Sequence, residues 1–238
     1  MYAFAVIPAR GGSKGLPGKN LMKVGRLSLI GHAVASARES RLLSRVVVST
    51  DDEAIAFEAK NVGGEVPFAR PPELASDEAG MIPVLEHAVR WLEDVEGTKP
   101  DLVVLLQPTS PFRTGPDIDL VIRRVIDSGA DSAQTLVEAS YHPHFMSRLE
   151  GDRTVPLFAA ESARYVRRQD PPNVYQPSGS VYVTRRAVLM DEGRIIGRDN
   201  RGLVMGYEAS VKIDTIWEFR LAEAVLAAGR APIPADRQ

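Results

Sequence analysis

The chain has no cysteine in its 238 residues, so disulfides, thiolate metal sites and cysteine nucleophiles are excluded. It also lacks a basic excess. Lys and Arg total 29 against 31 Asp and Glu, a net charge of -2, which argues against a general nucleic-acid binder. Positive charge that matters must therefore be local. No apolar run approaches the roughly 20 residues of a membrane span. The opening segment, Met1 to Pro8, has no basic leader and too short an apolar run for a signal peptide. The expectation is a soluble cytoplasmic protein without nucleic-acid or membrane partners. The Gly-x-Ser-x-Gly setting of a hydrolase serine is absent. His32, His87, His142 and His144 show no metal-ligand spacing, and a proline turn explains His142-Pro143-His144 as well as a site does.

What is present suits one sizeable core: 44% of the residues are hydrophobic. Apolar, β-branched runs alternate with stretches of helical period. Tyr2 to Ile7, Arg45 to Thr50, Asp101 to Leu106, Ser132 to Val137, Ser180 to Thr184 and Leu203 to Tyr207 read as strands. Leu29 to Glu39 reads as a helix. Asp77 is expected to cap a second, running to about Val95 with Ile82, Leu85, Val89 and Leu92 on one face. Asp117 to Ser128 is a third, with Ile118, Val121, Ile122, Val125 and Ile126 inward and Gly129 at its end. Thr215-Ile216-Trp217-Glu218 fits a capping box that starts the last helix. Such alternation implies an α/β fold with a largely parallel sheet covered by helices. Residues 141–176 break the rhythm with Arg, Pro and aromatics and read as an inserted arm of a single domain, 1–238. The tail after Ala231 is expected to fray.

The segment from Arg10 to Asn20 carries four glycines and the cations Arg10, Lys14 and Lys19, with no carboxylate among them to neutralise the charge. Glycines let backbone amides approach a ligand closely, and amides plus cations suit a polyphosphate. The alternative is a flexible surface loop with incidental charge. It is not a Walker loop, because Ser13 and Asn20 occupy the positions where that motif needs Gly and Ser or Thr, and no Gly-x-Gly of a dinucleotide loop occurs.

The run Ile7-Pro8-Ala9-Arg10-Gly11-Gly12-Ser13-Lys14-Gly15-Leu16-Pro17-Gly18-Lys19-Asn20-Leu21 closely resembles the signature of the acylneuraminate cytidylyltransferases, the CMP-sialic acid synthetases. The resemblance continues, in the family's order, through Val48 to Asp51, Arg70 to Asp77, Leu106 to Pro111, Tyr175 to Tyr182 and Ile213 to Thr215. It implies a three-layer, Rossmann-like mononucleotide-binding fold with a mostly parallel sheet and helices on both faces. It further implies a homodimer whose inserted dimerisation arm reaches into the partner, and Mg²⁺-dependent attack of a sugar hydroxyl on the α-phosphate of CTP.

By that resemblance, Arg10, Gly11, Gly12, Ser13, Lys14 and Lys19 hold the triphosphate, Asn20 and Arg70 lie near the nucleotide, and Lys19 and Arg10 stabilise the transition state. An exposed arginine before a proline pair is the other reading of Arg70. Asp214 matches the family's metal position and is expected to hold Mg²⁺; it also suits a helix cap. Sialic acid synthetases usually carry a second aspartate two residues earlier, where this chain has Lys212. A protonated lysine cannot ligate a cation. Either Asp214, phosphates and water hold the metal, or Lys212 takes over part of the charge neutralisation. Glu218 is assigned to the cap.

Gln107 ends a central strand, where open α/β sheets place their ligands; it suits the acceptor or a bond to the following turn. Arg168 and Tyr182 match acceptor-side positions, though Arg168 also fits a solvated face and Tyr182 a core strand. Phe145 and Gln176 stand where sialic acid synthetases tend to be basic. A neutral amide and an apolar ring there point away from N-acetylneuraminate, towards a legionaminic- or pseudaminic-type nonulosonic acid. The acceptor remains open to a phosphonate or sugar phosphate, and a non-catalytic nucleotide-binding relative is the reading from another class.

Overall fold

A computed structural model describes residues 1–13, 15–158, 167, 170–234 and 237. The first strand, β1 (Ala3–Pro8), is buried along its whole length, as an apolar run between two layers requires. After the phosphate-type loop come a short hairpin, β2 (Lys23–Val24) and β3 (Leu27–Ser28), and helix α1 (Leu29–Glu39), capped by the Ser28 hydroxyl. Next are β4 (Arg45–Ser49), α2 (Glu53–Asn61), α3 (Met81–Glu96), β5 (Leu102–Leu106), α4 (Gly115–Ser128) and β6 (Ser132–Glu138). An exposed hairpin, β7 (Ser147–Glu150) with β8 (Arg153–Pro156), precedes β9 (Tyr175–Arg185). The chain closes with α5 (Arg186–Met190), β10 (Asn200–Val204) and α6 (Ile216–Ala227).

The central sheet has six strands in the order β10-β6-β9-β5-β1-β4. All pairings are parallel except the two made by β9, which runs against both β5 and β6. Side chains alternate across the pleat. Ala3, Ala5 and Ile7 pack under α1, α2 and α4, while Phe4 and Val6 pack against α3 and Leu189 of α5. That is the expected three-layer arrangement. A third apolar cluster joins Phe112, Val211, Ile213 and Phe219 to Ala231 and Ile233 of the C-terminal segment.

Several expectations need correction. Helix α3 starts at Met81 after Gly80, and Asp77 does not cap it; its carboxylate turns to Arg10 instead, at 2.8 Å. Ile126 is 41% exposed, because it lies at the side of the narrow buried stripe Ile118, Val121, Ile122 and Val125. Helix α4 begins two residues before Asp117, which serves in its cap with Thr114. Strand β9 reaches back to Tyr175, so Gln176 belongs to the sheet and not to an arm, and β10 ends at Val204. The tail does not simply fray: Ile233 and Arg237 are buried, and Arg237 pairs with Glu39 at 3.0 Å.

Candidate active site

Strands β4 and β5 flank β1 on opposite sides, so the chain order reverses at β1. In open α/β sheets, ligands bind beyond the carboxyl ends of the strands at such a reversal. A cleft of about 480 Å³ lies there, lined by Pro8 at the end of β1 and Gln107 after β5. It collects Arg10, Ser13, Lys19, Asn20, Arg70, Gln107 and Asp214, all named from sequence. Lys14 and Arg168 lie outside the described residues.

Hydrogen bonds within the protein hold the loop in shape. Asn20 donates from its amide to the Arg10 carbonyl at 3.0 Å, and the Gly11 amide donates to Asp51 at 3.1 Å. Gly15 passes so close to Asp214 that a Cβ there would sit 2.8 Å from the Asp214 carbonyl oxygen. Only glycine permits that approach. Gly12 belongs to the same loop but does not line the cleft.

The loop cations are not left unneutralised, as the local sequence had implied. Arg10 donates to the Ser76 carbonyl at 2.8 Å and pairs with Asp77 at 2.8 Å. Lys19 pairs with Asp214 at 2.9 Å. Both carboxylates come from distant segments. The other oxygen of Asp214 accepts from Lys212 at 2.8 Å. Burial alone would push the Asp214 pKa up, but the bonds from Lys212 and Lys19 outweigh it and hold the carboxyl below its ordinary range. Glu218 completes the capping box of α6 and also accepts from the Asp214 amide at 2.9 Å, so the cap fixes the carboxylate's backbone.

Arg70 is buried, not an exposed loop residue. Its guanidinium donates to the Ser49 hydroxyl at 3.0 Å and to the Ser49 carbonyl at the end of β4. Burial lowers its pKa to about 10, which leaves it charged at neutral pH. Behind the cleft lies Arg113, which the sequence reading missed. It is fully buried and donates to the carbonyls of Gln107 and Ser180 at 3.1 and 2.7 Å. It ties the turn after β5 to β9. A buried arginine two residues beyond Pro111 has no local signature, because its partners, two carbonyls and the Ser36 hydroxyl, come from three segments.

Three acceptor-side candidates are not brought to the cleft. Tyr182 lies on β9, half-buried against the α3-side core, with burial raising its pKa. Gln176 is exposed on β9 opposite Val137. Phe145 lines a separate cavity of about 240 Å³ with Tyr141, His142 and Tyr207. The turn reading of His142-Pro143-His144 is right: the His142 ring accepts from the His144 amide. Among the described residues, no three His, Cys, Asp or Glu cluster as a metal site, and no helix is long and apolar enough to cross a membrane.

Residues 4–209 match the cytidylyltransferase family model. The chain belongs to the cytidylyltransferase family. It is similar to the post-translational flagellin modification protein B of Campylobacter coli, 30% identical over 92% of this chain and 93% of that one. It is similar to the CMP-N,N'-diacetyllegionaminic acid synthases of Campylobacter jejuni (28% identical, covering 93% of each chain) and of Legionella pneumophila (29%, covering 95% and 97%). A solved CMP:2-keto-3-deoxy-manno-octonic acid synthetase complexed with CTP shares the fold with a TM-score of 0.69 at 19% identity, over 96% of this chain and all of that one. The α/β fold and the cytidylyltransferase class expected from sequence are thus borne out.

Proposed function

We propose that this cytidylyltransferase transfers CMP from CTP to an acidic nine-carbon sugar in the cytoplasm and releases pyrophosphate. The observation that carries the reading is the convergence of Arg10, Lys19, Arg70, Gln107 and Asp214 on one cleft, with Lys19 paired to Asp214. The three cations match a triphosphate. The apolar wall of Leu74, Met81 and Val84 beside them suits a base. The acceptor hydroxyl oxygen bonds to the α-phosphorus, the bond to pyrophosphate breaks, and the hydroxyl proton is released to solvent. Positioning and charge neutralisation are the levers of such a transfer. Lys19, freed from Asp214 by the phosphates, meets the charge that develops on them.

Mg²⁺ is the proposed cofactor. Of the two carboxylates that line the cleft, Asp77 pairs with Arg10, and Asp214 is the one at the family's metal position; an ionised carboxylate has acceptor capacity beyond the two lysine bonds. Such a donor set fits an ion that takes one protein oxygen and fills its shell from phosphates and water. When bound, the ion supplies charge neutralisation at the phosphate oxygens.

Relatives named for N,N'-diacetyllegionaminic acid (28% and 29% identical) and for N-acylneuraminate (30% for that of Escherichia coli) are about equally similar, so the proposal of a legionaminic-type acceptor rests on Phe145 and Gln176. We further propose a homodimer formed through residues 141–174, so that Phe145 and Arg168 act on the partner's cleft. The apolar side chains exposed on this region, Met146, Leu149, Leu157 and Phe158, support a covered surface. Pyrophosphate release from CTP and Mg²⁺ with N-acetylneuraminate, N,N'-diacetyllegionaminic acid, an eight-carbon 3-deoxy acid and a small phosphonate tests the reading. Release with the phosphonate alone would overturn it.

A further inference from the structure

Lys212 and Asp214 both line the cleft, two residues apart. Val211 and Ile213 point the other way, into the third apolar cluster, and the Ile213 amide donates to the Thr109 carbonyl at 2.8 Å. The stem of Lys212 then runs past Gly179. A Cβ at Gly179 would lie 3.2 Å from the Gln107 side-chain oxygen and 3.2 and 3.3 Å from Cδ and Cε of Lys212. Gly179 also has a φ of +79°, which disfavours any side chain there. The glycine therefore leaves a slot in which an amide and an ammonium stem lie side by side.

Asp214 divides the cations of the cleft. On one side is Lys19, from the phosphate loop with Arg10 and Arg70 nearby; on the other is Lys212, beside Gln107. One carboxylate faces two ammonium groups, so the trio carries a surplus positive charge. The triphosphate end already holds its own cations. The surplus at the Gln107 end is matched by an anionic acceptor.

We infer that Lys212, with Gln107 beside it, is the residue that recognises the acceptor's carboxylate and selects acids over neutral sugars. The inference rests on the proposed function and adds the group that reads the acid. It carries a consequence for Asp214. CTP draws Lys19 away and the acid draws Lys212 away, so both oxygens of Asp214 come free only when both substrates are bound.

The test uses the full chain, its Lys212→Met and Lys212→Arg variants, and N,N'-diacetyllegionaminic acid beside its methyl ester. Calorimetric binding to protein loaded with a non-hydrolysable CTP analogue is measured with steady-state kinetics. Losing a charge-assisted bond weakens affinity about ten- to a hundredfold. Lys212→Met should weaken the acid by that factor, leave the ester within about twofold, and leave the analogue's own Kd within about threefold. Lys212→Arg should keep most of the preference for acid. Lys212 is 44% exposed, so the folded state should survive, which a melting curve checks. Equal losses for acid and ester, or a loss confined to the CTP analogue, would overturn the role of Lys212 while the transferase reading stands. A wild type that treats acid and ester alike would overturn it outright. Pyrophosphate release with no acid would instead sink the proposed function.

Discussion

Lys19 sits at the meeting of the phosphate loop and Asp214, only 15% exposed. Removing one preorganised charge contact to a developing oxyanion costs roughly 3 kcal/mol, about a hundredfold in rate. Lys19→Ala should therefore lose turnover by that order at saturating CTP. Its melting temperature should barely move, because Lys212 still neutralises Asp214; near-normal turnover would remove Lys19 from the machinery. His32 presents the opposite case, a buried residue with no role in the cleft. Its Nε2 donates to the Val24 carbonyl at 2.7 Å and its Nδ1 has no partner among the described residues, so the ring is neutral. Burial, assisted by the charges of Arg237 and Arg113, pulls its pKa from 6.5 down to about 4. Between those values the unfolded chain holds a proton that the folded chain does not. Stability is thus constant above pH 6.5 and falls as pH drops towards 4, by about 3 kcal/mol in all. Thermal unfolding across that window should show the loss, and His32→Gln should flatten it.

At the scale of elements, the start of α6 decides where Asp214 points. Glu218 accepts from the Thr215 amide at 2.6 Å, the Thr215 hydroxyl at 3.0 Å and the Asp214 amide at 2.9 Å. Replacing Glu218 by Ala should cost about 1 kcal/mol of stability, as loss of a cap does. It should also lower kcat with little change in the KM for CTP, since the triphosphate contacts are made by another segment. An unchanged kcat would mean that the Thr109–Ile213 bond alone sets the carboxylate. This box was legible in sequence because its signal is local: a threonine three residues before a glutamate. The start of α3 was not. Asp77 looked like a cap, but its pull towards the α3 amides loses to Arg10, which lies 67 residues earlier and reaches it only in the fold.

Across the whole molecule, the C-terminal segment ties together distant parts of the chain, with Ala231 and Ile233 in the third apolar cluster and Arg237 paired with Glu39. Arg237 is 3% exposed. Besides its pair with Glu39, it donates to the carbonyls of His32, Pro111 and Arg113 at 3.3, 3.3 and 3.2 Å. Pro111 and Arg113 follow the turn that carries Gln107, so the end of the chain braces the floor of the cleft. Arg237→Ala removes one partner of a buried pair, a loss on the order of 3 kcal/mol. The urea midpoint should fall at an unchanged m-value, and removal of residues 235–238 should fall by the same amount. A midpoint that does not move would show that the segment is not docked in solution.

The amino-acid sequence by itself determined the alternating elements, the largely parallel sheet covered by helices and the glycine-rich cationic loop, because period, apolar runs and glycine spacing act within a few residues. The resemblance carried by motifs kept in order along the chain further named Arg10, Lys19, Arg70 and Asp214, which the fold brings to one cleft. Tertiary structure alone decided how those charges pair. The partner of Arg10 is Asp77, that of Lys19 is Asp214, and Lys212 shares the latter. It alone packed Tyr182 half-buried against the core, left Gln176 and Phe145 away from the cleft, and buried Arg113 and Arg237. An ion pair depends on distance in space, and Lys19 and Asp214, 195 residues apart, carry no sign of each other until the sheet places the loop after β1 beside the turn before α6.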